Sequence, residues 1–165
     1  MLAVAVDGQA VARFYIWQSL GFGGKPGSGS FAAAPTQPRA KDPAVLQRHI
    51  ERAHKRLARV TIENLPYGEF IDRYDRPGTL FYVDPPYWGT EGVYGKGMFE
   101  KADFERLAEQ LGRISGRFIL SINDTAETRR IFKGFHARQV NVTYSTKEGP
   151  HHRAKELIVS GRGVK

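Results

Sequence analysis

The chain has 165 residues, 41% hydrophobic and 12% aromatic, enough for one packed domain or part of one. It has no cysteine, which excludes disulfides, cysteine nucleophiles and thiolate metal sites, and no apolar run of membrane-spanning length. Twenty-five Lys and Arg against 17 Asp and Glu give a formal charge of +8, and a sequence pI near 9.9 favours a polyanionic partner without choosing DNA over RNA.

Residues 1–6 are apolar but lack the basic start, long apolar region and cleavage site of a secretory signal. Residues 1–20 have a helical flavour: Val11, Phe14, Tyr15, Trp17 and Leu20 fall on one face, a stripe read as core. Residues 21–30 hold five glycines, which rules out a regular element. A cofactor-binding glycine loop is rejected there. Such a loop follows a buried strand and opens a helix, whereas this one follows a helical segment and leads into Pro35-Thr36-Gln37-Pro38. Residues 32–42 read as a linker. Residues 43–59 read as a helix, with Pro43 in its first turn and Val45, Leu46, Ile50, Ala53, Leu57 and Ala58 as its apolar face. Lys41, Arg48, Arg52, Lys55, Arg56 and Arg59 make it basic, which leaves two readings open: solvated helix charge or a phosphate-facing surface.

Residues 60–65 read as a short strand ended by Pro66, with Glu63 and Asn64 at its carboxyl end. There an acid or amide either accepts a hydrogen bond from a ring amine or caps the loop. Residues 67–74 read as a short amphipathic helix, and Asp75-Arg76-Pro77-Gly78 as a turn. Residues 79–83, Thr-Leu-Phe-Tyr-Val, read as a buried strand. It must stop at Asp84, because Pro85 and Pro86 lack the backbone N–H that a ladder needs. In open α/β sheets the carboxyl edge is where ligands bind. An acid, exposed carbonyls and the Tyr87-Trp88 pair held rigidly there describe a pocket for a flat, polar ring.

Residues 88–97 read as a glycine-rich loop. Residues 99–114 read as a helix with Phe104, Leu107, Ala108 and Leu111 inward, stopped by Ser115-Gly116. Residues 117–124 read as a second buried strand, and 125–132 as a helix with Asp124 as N-cap. Residues 139–144 and 156–160 read as antiparallel strands, joined by a polar loop with Lys147, His151, His152, Arg153 and Lys155. The adjacent histidines have no nearby carboxylate partner and are read as loop residues, so no metal site is expected.

Asp84-Pro85-Pro86-Tyr87 after a hydrophobic strand resembles the catalytic motif of amino-group DNA methyltransferases that modify adenine. With Trp88-Gly89-Thr90-Glu91-Gly92 it is similar to their Dam-like, D12 class. The downstream order agrees: a helix, a strand ending Ser121-Ile122-Asn123-Asp124 followed by Thr-Arg, then a hairpin ending Ala154-Lys155-Glu156-Leu157-Ile158-Val159-Ser160. The resemblance runs from about residue 60 to residue 161 and implies the carboxyl half of the usual enzyme. The implied fold is α/β, a partial Rossmann-like AdoMet-dependent methyltransferase (AdoMet, S-adenosyl-L-methionine) whose mixed sheet carries a carboxyl-terminal antiparallel hairpin. Residues 1–42 would end a target-recognition, DNA-binding insert and linker, and residues 43–165 would be the carboxyl-terminal part of the catalytic domain.

The activity so implied is site-specific methylation of adenine N6 in double-stranded DNA, with transfer from AdoMet to a flipped base. Asp84, Pro85, Pro86 and Tyr87 would be catalytic. Glu63, Asn64 and Asp84 would hold AdoMet. Phe22, Lys25, Trp88, Lys147 and Arg153 would face DNA, Phe22 as a wedge at a base step and Lys25 on phosphate. The family's main AdoMet loop, of Phe-x-Gly-x-Gly type, is not found, which suggests a truncated or split enzyme partnered by an amino-terminal fragment. The alternative is an inactive nucleic-acid-binding fragment. The implied setting is the cytoplasm of a bacterial or phage-infected cell, in restriction–modification or phage biology, with no membrane partner.

Overall fold

The computed structural model describes residues 9, 13–14, 43–95, 97–144 and 152–161. The chain divides into two compact units, Met1–Asn64 and Leu65–Lys165.

In the first unit, residues 9, 13 and 14 are helical, and α1 runs over Pro43–Leu57. His54, Lys55 and Arg56 occupy its last turn, where cations suit the negative end of the helix dipole. Residues 60–65 are not a strand. They lie outside regular structure, with Val60 and Ile62 exposed. β-forming composition does not suffice without a ladder partner, and none of the sheet's strands pairs with this segment.

The second unit carries α2 (Tyr67–Tyr74), β1 (Leu80–Val83), a 3₁₀ turn (Glu91–Tyr94), α3 (Lys101–Leu111), β2 (Arg117–Asn123), α4 (Ala126–Ile131), β3 (His136–Tyr144) and β4 (His152–Ser160). The four strands form one mixed sheet in the order β1-β2-β4-β3. β1 and β2 are parallel, and α3 supplies the crossover that a parallel pair requires. β4 is antiparallel to both β2 and β3. The connection between β3 and β4, residues 145–151, lies outside the described residues.

The core follows from two periodicities. Phe104, Leu107 and Leu111 lie three and four apart on α3 and form one helical face. Phe118, Leu120 and Ile122 alternate along β2 and meet it, with Leu157 and Val159 continuing the layer on β4. Phe104 is fully buried, and Phe99 meets it edge-on at 4.8 Å between ring centroids. Burying each such ring contributes about 2–3 kcal/mol.

Several boundaries differ from those read in the sequence. α3 ends at Leu111 with Gly112 as its cap, because the Gly112 N–H already closes on Ala108 O. Ser115 and Gly116 instead form a turn held by Asp75, whose carboxylate accepts both of their N–H groups at 2.8 Å. These two bonds hold the Asp75 carboxyl below its ordinary pKa. The cap of α4 is Thr125 rather than Asp124. Thr125 Oγ1 accepts the Thr128 N–H at 3.1 Å, while the Thr128 hydroxyl oxygen accepts the Thr125 N–H at 3.0 Å. Asp124 is left to pair with Arg129 through two bonds of 2.6 and 2.7 Å. β3 and β4 also begin earlier than expected, at His136 and His152: β3 is an edge strand whose exposed face can be polar without ceasing to pair, and β4 pairs with it from His152 on.

Candidate active site

β1 ends where the prolines require, and Asp84 follows it at an exposed strand end. Tyr82 and Asp84 are two apart and project to the same face. The neighbouring strand presents Ser121 there. Its hydroxyl donates to Asp84 Oδ1 at 3.1 Å and lies 3.2 Å from the Tyr82 hydroxyl. A carboxylate only accepts, so the Ser121 proton points to Asp84 and Tyr82 supplies the second hydrogen bond of the relay. Asp84 Oδ2 takes no hydrogen bond among the described residues.

The next residues are fixed one by one. The Tyr87 hydroxyl donates to Glu156 Oε1 at 2.6 Å. Trp88 is clamped through its backbone by Asn123, whose Oδ1 accepts the N–H at 2.8 Å and whose Nδ2 donates to the carbonyl at 3.0 Å. Thr90 returns both its N–H and its hydroxyl to Tyr87 O. Gly89 has a φ of +90°, a left-handed turn that a side chain would strain, and its N–H donates to Glu91. That bond keeps the Glu91 carboxyl below its usual pKa. The Trp88 ring packs 5.2 Å from Phe104, with Lys101 Nζ 5.2 Å above its face.

Beside Asp84 lies a cavity of about 310 Å³. Asp84, Pro85 and Pro86 line it together with Tyr67, Phe70 and Phe99. The Tyr67 hydroxyl donates to Asp103 Oδ1 at 3.2 Å, and burial together with that carboxylate raises its pKa. Burial alone would raise Asp103, but bonds from Arg106, the Glu100 N–H and Tyr67 outweigh it and hold the carboxyl low. The cavity lining therefore joins aromatic side chains to a carboxylate acceptor, a set suited to a flat ring bearing an amino group or to a cationic centre.

The structure thus brings together Asp84, Pro85, Pro86, Tyr87 and Trp88 on one strand end. Glu63 and Asn64 belong to the first unit, in a segment outside regular secondary structure. Arg153 lies on β4 opposite Thr143. Phe22, Lys25 and Lys147 lie outside the described residues. Reasoning from sequence missed Ser121, Asn123 and Glu156 as parts of the site. Two signals were available: Ser121 and Asn123 share a strand face, and Glu156 is an acid directly before the apolar run Leu157-Ile158-Val159. Neither signal says which loop they meet.

No helix among the described residues is long and apolar enough to cross a membrane. A comparison with curated proteins finds no match. Residues 9–146, most of the chain, match a family described as D12 class N6 adenine-specific DNA methyltransferase. With the Asp84-Pro85-Pro86-Tyr87 strand end standing within that match, the chain belongs to the D12 class N6 adenine-specific DNA methyltransferase family.

Proposed function

We propose that this chain carries the base-gripping part of a site-specific DNA methyltransferase that moves a methyl group from AdoMet to N6 of an adenine flipped out of the duplex. The observation that supports this reading best is the Asp84 carboxylate at the end of β1, oriented by Ser121 beside an aromatic cavity. Adenine's exocyclic amine is a poor nucleophile because its lone pair is delocalised into the ring. Two acceptors aimed at its hydrogens, the Asp84 carboxylate and the Pro85 carbonyl, favour a more tetrahedral nitrogen and localise that pair. Tyr87 offers its face to the base. Asp84 stabilises positive charge developing on nitrogen and takes the proton that N6 loses, passing it to water. Inside a duplex the amine is out of reach of these groups, so the base must leave the stack.

AdoMet, when bound, supplies an electrophilic methyl group on a sulfonium. In this proposal the Asp84 carboxylate and the aromatic lining of the cavity would hold it, and Glu63 and Asn64 are candidates for its adenine part. Orientation of N6 toward the methyl group is the main catalytic contribution of the chain's own residues. Phe22, Lys25, Trp88, Lys147 and Arg153 contact double-stranded DNA, and residues 1–42 close a target-recognition insert ahead of a catalytic part at 43–165. The sheet is then one part of a Rossmann-like methyltransferase sheet. A bacterial or phage-infected cytoplasm, with a restriction-linked or phage role, completes the reading.

The test is transfer of labelled methyl from AdoMet to unmethylated duplex DNA. Label is expected in N6-methyladenine and should vanish in Asp84→Ala. Label that survives in Asp84→Ala refutes the role given to that carboxylate. Salt-sensitive DNA binding with no transfer under any condition identifies the chain as a binding fragment instead.

A further inference from the structure

Among the described residues Glu156 is the one charged side chain in the buried set, 7% exposed. It lies beyond residue 146, where the family match ends. On β4 it stands directly across from Asn123, so the ladder brings it to the same strand end as Asp84. Its Oε1 accepts the Tyr87 hydroxyl at 2.6 Å, a length typical of an O–H···O⁻ bond to a carboxylate. Tyr87 follows Pro86 directly, so its backbone entry is stiff, and this bond holds the far tip of the ring. A carboxylate buried at that strand position is costly, and an apolar residue of similar size would favour stability more simply.

We infer that Glu156 is a positioning residue: it sets the plane of the Tyr87 ring on which the target adenine stacks. This rests on the proposed role of Tyr87. A phenol that donates to a carboxylate is also richer in π-electron density, and a more negative ring face suits a base that gains positive charge during methyl transfer. Glu156 itself touches neither base nor methyl donor in this scheme.

The experiment uses the full chain in four variants: Tyr87→Phe, Glu156→Gln, Glu156→Ala and the Tyr87→Phe/Glu156→Ala double. The first readout needs no substrate. With ring-labelled tyrosine, NMR should show a slowly exchanging Tyr87 hydroxyl proton in the wild type and in Glu156→Gln, and its loss in Glu156→Ala. The second readout is methyl transfer. Tyr87→Phe and Glu156→Ala should each lower kcat by about tenfold with KM for AdoMet unchanged, the scale expected of a misplaced contact surface. The double variant should be no worse than the poorer single, and Gln should recover most of the loss.

Additive losses, or Gln as damaging as Ala, overturn the inference. So does a fall in kcat for Glu156→Ala with the Tyr87 hydroxyl signal unchanged. Should Glu156→Ala not fold, Glu156→Leu, which removes the acceptor and keeps the volume, takes its place in the same cycle. A wild type that transfers no methyl group counts against the proposed function. The NMR readout then decides by itself whether Glu156 sets the ring.

Discussion

Asn123 grips Trp88 by both of its backbone polar groups, accepting the N–H at 2.8 Å and donating to the carbonyl at 3.0 Å. An amide is the side chain that can do both, since it carries a donor and an acceptor side by side. Asn123→Asp keeps the acceptor and loses the donor, and Asn123→Ala loses both. We expect Asn123→Ala to cost about 1–2 kcal/mol of stability, the net worth of two such bonds. Methyl transfer should fall by about 10- to 100-fold, because the loop that follows Tyr87 is no longer fixed. Urea denaturation and single-turnover kinetics check the two effects. Full activity in Asn123→Ala would show that the clamp is dispensable.

Ser121 stands between Tyr82 and Asp84 and serves both. Ser121→Ala leaves Asp84 in place without its donor. The expected outcome is a loss of about 1 kcal/mol in stability and a drop in methyl transfer smaller than that of Asp84→Ala. If Ser121→Ala is as inactive as Asp84→Ala, the hydroxyl has a larger part than orientation.

Gly116 has no room for a side chain. A Cβ there would lie 2.8 Å from Thr79 O, a backbone atom that already accepts the Arg117 N–H at 2.8 Å. Neither strand can shift without breaking the β1–β2 ladder. Gly116→Ala should destabilise by about 1–3 kcal/mol through this overpacking. Thermal unfolding measures it, and an unchanged midpoint would contradict the close approach. Methyl transfer per folded molecule should be unaffected.

The Asp75 and Asp124 carboxyls have pKa values below their ordinary range, the first through the Ser115 and Gly116 N–H groups and the second through Arg129. A folded-state pKa below the unfolded value of about 3.9 means stability that is complete above the unfolded pKa and lost as pH falls through the folded one. The protein should therefore weaken on acidification below about pH 4, and Asp75→Asn should flatten that part of the profile. Denaturant midpoints for both proteins between neutral and acidic pH provide the measurement. Parallel curves would rule out Asp75 as a source of the acid sensitivity.

Much of the second unit is local in origin. Pro85 and Pro86 end β1 wherever the strand is placed, and the spacing of Phe104, Leu107 and Leu111 makes a helix with one apolar face in any context. The motif strand, the helix after it and the strand 117–123 were legible for that reason, and so was the family resemblance they carry; the motif strand is not buried throughout as expected, since Leu80 and Tyr82 are exposed and Phe81 alone is buried. The short helix at Tyr67–Tyr74 was equally plain, since its apolar and polar positions separate within two turns. Residues 60–65 misled because β-forming composition is local while a ladder partner is not. Asp124 misled because either of two adjacent residues can cap a helix, and the Thr125–Thr128 reciprocal bonds decide between them.

What the sequence alone determined is the acid at a strand end, stiffened by two prolines and followed by two aromatics. What only the tertiary structure decided is which side chains hold it. Ser121, Asn123 and Glu156 reach Asp84, Trp88 and Tyr87 across separations of 37, 35 and 69 residues. Their arrival depends on the register of β2 against β4, which pairs Asn123 with Glu156. A one-residue slip of either strand would turn its side chains to the other face, and register is set by packing of the whole sheet rather than by any stretch of chain.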